Sequence, residues 1–111
     1  MGETPRRKAA NEAIFRDVNE RIEGLQRSFA LTEHEPLQIV CECDRLDCVE
    51  RIAISVDVYE RVRSHSDQFI VAQGHEDAQV EEVVDSGAGY LVVRKRAGEP
   101  RAVAEATDPR S

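Results

Sequence analysis

Residues 41–48 of the chain read CECDRLDC and contain all three of its cysteines. Thiolates together with a neutral imidazole are the ligands of tetrahedral Cys3His zinc sites. The histidine that best completes this set is His75, because it follows both a predicted strand and Gly74, where folding can bring it to the cysteine loop. The sequence therefore predicts a structural Zn2+ ion whose ligands are Cys41, Cys43, Cys48 and His75.

The spacing of the cysteines requires a bend in the chain at Cys43. In a regular strand the Cβ atoms of residues i and i+2 are about 7 Å apart. Two sulfurs that share one zinc ion lie closer together, because each Zn–S bond is only about 2.3 Å long. We therefore expect the strand to bend at Cys43 and residues 44–47 to form a short loop that returns Cys48 to the same point. Asp44 and Asp47 suit such a loop.

The cysteines and histidines can also be interpreted without a metal. His65 lies at the C-terminal end of a predicted short helix, where a positively charged side chain interacts favourably with the helix dipole. His34 lies in a polar connector. The cysteines could be buried small hydrophobes. A further alternative is a redox-active disulfide between Cys41 and Cys48, with Cys43 as the exchanging thiol. A catalytic zinc is not expected, because four protein ligands leave no position for water.

The cysteine loop joins two predicted strands within an α+β fold. The expected fold has a long N-terminal helix, short antiparallel β-hairpins and one short helix, with zinc as a staple. Thr4 and Pro5 form a helix start of N-cap and first-turn proline. The remaining elements follow from apolar periodicity and turn residues: strands 37–41 and 51–55, a helix over 56–64 capped by Ser55, strand 68–72, and a hairpin of 80–85 with 90–96.

The predicted N-terminal helix carries a narrow apolar stripe. Its residues recur at spacings of 3, 4, 3 and 4: Phe15, Val18, Ile22, Leu25 and Phe29. This pattern is typical of a helix that packs along one line of contact. The favoured interpretation is that this helix covers the sheet of its own domain. The alternative is that it binds a protein partner or forms a homodimer.

Length and composition indicate one small domain with three parts. The chain has 111 residues, and only 5% of them are aromatic, so the core is thin and gains from a metal. Residues 1–34 are expected to form the helix and a connector, and residues 35–97 a compact β-rich zinc-binding core. Residues 98–111, with glycine, prolines and alternating small and acidic residues, are expected to be a disordered tail.

The charge and hydropathy of the chain argue against two classes of partner. The net charge is −7, from 22 acidic and 15 basic residues, which disfavours binding to the phosphates of nucleic acids. No apolar run approaches the roughly 18 residues of a membrane span, and the first twenty residues lack the apolar region of a secretory signal. The odd, clustered cysteines do not resemble a secreted disulfide framework. We expect a cytoplasmic protein.

The motif content favours binding over catalysis. The chain contains no nucleophile elbow, phosphate-binding loop or zinc-protease motif, so we do not expect an enzyme. The predicted function is a non-enzymatic, zinc-stabilised protein-interaction or regulatory module. The alternative is a thiol-based redox or zinc sensor, in which oxidation of the cysteines releases the metal.

The sequence of the chain also resembles that of a known protein family. From about residue 12 to residue 96 the chain is similar to a family of small uncharacterised bacterial proteins that are common in actinobacteria. The resemblance rests on these segments: residues 40–43, Cys48 with 50–52, residues 59–63, 69–71, 74–76 and 90–93. It implies that the three cysteines and His75 act as one set, and it implies no particular activity.

Overall fold

A computed structural model describes residues 4–28 and 36–110 of the chain. Within those ranges it contains three helices and five strands, in this order: α1 Pro5–Ser28, β1 Leu37–Val40, β2 Arg51–Ile54, α2 Val56–Arg63, β3 Gln68–Ala72, β4 Glu81–Gly87, β5 Tyr90–Lys95 and α3 Glu99–Ala106. The predicted α+β class is confirmed. Phe29 and His34 lie outside the described residues. None of the described helices has the length and apolar character that crossing a membrane requires.

The strands form two small antiparallel sheets. Sheet A is the hairpin of β1 and β2, in which Leu37 lies opposite Ile54. Sheet B has the strand order β3-β5-β4. The β4–β5 hairpin closes through Ala88 and Gly89, and Gly89 has the positive φ of 80° that such a tight turn requires. Both predicted hairpins are therefore confirmed, with a shorter turn in the second one.

One apolar core connects the two sheets. Alternate residues of β1 and β2 point inward, as their period-2 pattern predicts. Helix α2 begins where Ser55 accepts a hydrogen bond from the backbone N–H of Val58 at 3.2 Å, so the predicted cap is confirmed. The largest fully buried apolar side chains of the core come from β1, α2 and β3: Leu37, Ile39, Tyr59, Phe69, Ile70 and Val71.

Helix α1 buries its polar face. The side chains at successive spacings of 4, 3 and 4 that face the domain are polar and almost fully buried: Glu12, Arg16, Asn19 and Glu23. Of the larger apolar side chains of the helix, Phe15 and Ile22 are half-buried, whereas Ile14, Val18 and Leu25 are 53%, 38% and 58% exposed. The helix therefore packs against its own domain, as expected, but mainly through this polar face and not through the predicted apolar stripe.

Specific partners bind the buried polar side chains of α1, although Arg16 Nε has no hydrogen-bond partner among the described residues. The Arg16 guanidinium donates to the carbonyls of Ser66 (2.6 Å) and Ala104 (2.7 Å) and lies 4.4 Å from the centre of the Phe69 ring. The Asn19 amide forms two hydrogen bonds with the backbone of Val40, at 2.9 and 2.8 Å. Buried polar groups are tolerated when they are paired in this way. The hydrogen bonds of these polar side chains therefore determine which face of α1 packs against the domain.

The prediction of a disordered tail is wrong for residues 99–106, which form α3. Pro100 occupies the first turn, where a missing N–H has no penalty. Ala104 is fully buried, and α3 packs against α1. Arg101 donates to the carbonyl of Lys95 at 3.1 and 3.3 Å, and Arg110 forms ion pairs with three glutamates of α1 and α2: Glu20, Glu23 and Glu60. The buried polar face of α1 thus gives these residues a surface to fold against.

Candidate metal centre

The cysteine loop lies between the two strands of sheet A. Cys41 and Cys43 follow β1, and Cys48 precedes β2. The loop is closed by two backbone hydrogen bonds, from Cys41 N–H to the Glu50 carbonyl (3.0 Å) and from Cys48 N–H to the Arg45 carbonyl (3.1 Å). The chain bends at Cys43, as the spacing of the cysteines requires.

A tight turn after β3 places His75. The backbone N–H of His75 donates to the Ala72 carbonyl at 3.0 Å, and Gly74 has a positive φ of 86°. A turn of this kind needs a residue that adopts the left-handed region at its third position, which glycine does without strain. The imidazole of a residue 27 positions beyond Cys48 is thereby brought to the cysteine loop.

The ligand atoms of Cys41, Cys43, Cys48 and His75 all lie within 4.8 Å of one another. His75 Nδ1 is 3.6 Å from the Sγ atoms of both Cys41 and Cys48. In a tetrahedral site with Zn–S bonds of about 2.3 Å and Zn–N bonds of about 2.05 Å, sulfur and nitrogen ligands are about 3.6 Å apart. The four side chains are therefore positioned to bind a metal ion through Nδ1 of the histidine.

Each cysteine sulfur also receives a backbone hydrogen bond. The Ala72 N–H lies 3.1 Å from Cys41 Sγ. The backbone at Arg45 donates to Cys43, and the backbone at Glu50 donates to Cys48. Hydrogen bonds to sulfur favour its anionic form, which is the form that binds metals. The surrounding backbone is thus arranged for three thiolates.

The cysteines influence one another's protonation. The hydrogen bond that Cys43 accepts from Cys41 lowers the pKa of Cys43 to about 5. The same hydrogen bond, together with burial, raises the pKa of Cys41, and burial raises the pKa of Cys48. Cys43 is therefore the cysteine that loses its proton most readily, and a bound cation would favour loss of the other two thiol protons.

The cluster is nearly closed to solvent. Cys41 and Cys43 are each 1% exposed, whereas Cys48 and His75 are partly exposed. His65 is exposed and does not belong to the cluster. His34 lies outside the described residues. Three cysteines and one histidine fill a tetrahedral shell, which is typical of a structural site.

Glu42 lies between the first two cysteines and has a structural role that was not predicted from the sequence. Its carboxylate is fully buried and accepts hydrogen bonds from three elements: from the Ile70 N–H (2.9 Å), the Asn19 amide (2.6 Å) and the Arg63 guanidinium (3.1 Å). A signal was present, because alternation in an extended segment places residue 42 opposite residues 41 and 43. Glu42 fixes the cysteine loop against α1, α2 and β3.

Comparison of the chain with known protein families, with curated proteins and with solved structures finds no match.

Proposed function

We propose that this chain is a non-enzymatic protein-interaction or regulatory module stabilised by zinc. The ion would be bound by Cys41, Cys43, Cys48 and His75. It would connect sheet A, which carries the cysteine loop, to sheet B, which carries the histidine after β3. The observation that carries the proposal is the 3.6 Å spacing of His75 Nδ1 from two sulfurs, each of which accepts a backbone N–H.

The donor set favours zinc among the common metals. Three soft thiolates and one imidazole in a tetrahedral arrangement suit Zn2+, whereas Mg2+ and Ca2+ require oxygen ligands. The four ligands leave no position for a substrate or a water molecule. A structural role for the ion follows from this closed shell.

The burial of the cysteines favours this structural role over the alternative, a thiol-based redox sensor. Sensor cysteines need access to an oxidant. Cys41 and Cys43 are 1% exposed, and only Cys48 is partly accessible.

Metal analysis of protein purified without a polyhistidine tag tests the zinc proposal. We expect about one equivalent of zinc per chain, and a much reduced content in the Cys43→Ser variant, because removal of a thiolate opens the shell. The matched control is His65→Ala, which changes an exposed histidine outside the cluster. Less than half an equivalent of zinc in fresh, reduced protein would contradict the proposal.

The proposed interaction surface is the exposed apolar stripe of α1. Because the opposite face of the helix is held by buried hydrogen bonds, Val18 and Leu25 of the stripe, with Ile14 beside it, remain available to a protein partner or a second copy. Phe15 and Ile22 extend the stripe on its half-buried side. Contiguous exposed apolar side chains on one helix face are typical of helix-in-groove or helix-pair recognition.

The Leu25→Glu variant tests this surface. A charge at a residue that is 58% exposed should leave folding unchanged within about 0.5 kcal/mol and should abolish association through the stripe. Sedimentation equilibrium over a concentration series detects a second copy, and co-purification at native expression levels detects another partner. Val84→Glu is the control, since Val84 is 44% exposed on β4 and lies outside the stripe. Identical behaviour of the wild type and both variants in both assays would exclude the stripe as the interaction surface.

A further inference from the structure

A buried lysine connects α1 to sheet B through two carboxylates. Lys95 on β5 is fully buried, and its ammonium group donates to Glu12 on α1 and to Glu81 on β4, the latter at 2.5 Å. Glu12 and Glu81 are only 1% and 2% exposed. The ammonium also lies 5.3 Å from the centre of the Phe69 ring, so the cluster is enclosed on its inner side.

The charges of this cluster do not balance. Two ionised carboxylates and one ammonium leave one negative charge in a site that solvent scarcely reaches. An unbalanced buried charge is unfavourable by several kcal/mol, and such a site takes up a proton instead. The two carboxyl groups are neighbours, because both accept a hydrogen bond from the same ammonium group.

The charged groups around the cluster form hydrogen bonds or ion pairs with other groups. The Lys8 ammonium binds Asp77 at 2.7 Å, and the Asp77 N–H donates to Glu81 at 3.0 Å. The three arginines nearby donate elsewhere: Arg16 to backbone carbonyls, Arg63 to Glu42 and Arg101 to the Lys95 carbonyl. Among the residues that the structure describes, Lys95 is therefore the one cation that donates to Glu12 and Glu81.

We infer that Glu12 and Glu81 share one proton at neutral pH, and that the attachment of α1 to sheet B depends on this proton. The shared proton leaves one carboxylate to balance Lys95 and gives the other carboxyl group a donor. Burial, reinforced by Glu81 and opposed by Lys95, raises the pKa of the Glu12 carboxyl well above its usual range. Loss of the proton would leave one unbalanced negative charge buried where α1 packs against β4 and β5.

The sign of the pH dependence follows from the number of protons that each state binds. An unfolded glutamate loses its proton near pH ~4.3, whereas the folded cluster retains it to a higher pH. Between these two values the folded state holds one proton more than the unfolded state. The cluster's contribution to stability therefore falls as the pH rises, by about tenfold in the unfolding constant per pH unit for one proton.

Counting the protons released on unfolding tests the inference. Zinc-loaded wild type and Glu12→Gln are unfolded by denaturant in weakly buffered solution at neutral pH, and the pH change is calibrated with standard acid. We expect the wild type to release about one proton more than Glu12→Gln, because glutamine cannot deliver the shared proton. Protons taken up by the cysteines on release of zinc are the same in both proteins and cancel.

Glu82→Gln is the matched control, since Glu82 is the exposed neighbour of Glu81 on the same strand. It should release as many protons as the wild type. Glu81→Gln provides an independent second variant if Glu12→Gln does not fold, and the infrared carbonyl band of a protonated carboxyl group can be recorded on the wild type alone. Equal proton release from wild type and either buried variant, or no such band at neutral pH, would overturn the inference.

Discussion

Removal of the proposed zinc ion by a chelator at neutral pH should lower the melting temperature of the protein markedly, by more than about 15 °C. The four ligands come from three places in the chain: the end of β1, the segment before β2 and the turn after β3. A shell that joins separate elements exists only in the folded state, so its binding free energy contributes directly to folding. The measurement is thermal unfolding of one sample before chelation, after chelation and after zinc is restored.

Substitutions identify the ligands in the same assay. Cys41→Ser and Cys48→Ser should each reproduce the loss of melting temperature, and chelator should then have little further effect. His65→Ala should be nearly silent, because His65 is exposed and outside the cluster. His34→Ala, in the predicted polar connector, should be silent as well. A chelated protein that melts within about 2 °C of the untreated protein would show that the cluster does not hold the fold together.

Much of the site could be predicted because it depends on residue types and spacings within short segments of the chain. Zinc chemistry restricts the ligand types, and the spacing of Cys41, Cys43 and Cys48 requires the bend that the loop contains. His75 could be placed because Gly74 ends a strand at a turn. Period-2 patterns and turn residues likewise predict both hairpins, since each depends on neighbouring positions in the chain.

The orientation of α1 could not be predicted from its apolar periodicity. The helix has two stripes of the same period, one apolar through Val18 and Leu25 and one polar through Glu12 and Asn19. Apolar burial usually determines the buried face. Here the partners of the polar stripe are distant in sequence, such as Lys95, which lies 83 residues from Glu12. A pattern within one helix carries no information about such partners.

The same long-range pairing explains why composition does not predict α3. Residues 98–111 have no strong apolar period, so their composition alone indicates a disordered tail. The segment folds where Arg16 of α1 reaches the carbonyl of Ala104 at 2.7 Å and where Arg110 reaches Glu20 and Glu60. Side chains of α1 thus specify the position of α3, and the two helices depend on each other.

Substitution of Glu42 by alanine should destabilise the protein by about 3–5 kcal/mol, although Glu42 is not one of the four proposed metal ligands. Its carboxylate is fully buried and holds the Arg63 guanidinium at 3.1 Å and the Ile70 N–H at 2.9 Å. Removal of the acid leaves a buried cation without its counter-charge and a backbone donor without an acceptor, and each of these is unfavourable. Urea unfolding in the presence of excess zinc measures the change.

A surface ion pair on α1 provides the control, because it shows how much stability is lost when an exposed and not a buried ion pair is broken. Arg21 pairs with Asp17 at 3.2 Å, but the arginine side chain is 79% exposed, so Arg21→Gln should change stability by no more than about 1 kcal/mol. The double variant Glu42→Gln with Arg63→Met removes both buried charges, and it should be less destabilised than the sum of the two single variants. A loss below about 1 kcal/mol in Glu42→Ala, with zinc still bound, would show that the Glu42 carboxylate does not anchor the cysteine loop. A large loss would show that the buried ion pair at residue 42 anchors the loop, on the face opposite the proposed metal ligands at residues 41 and 43.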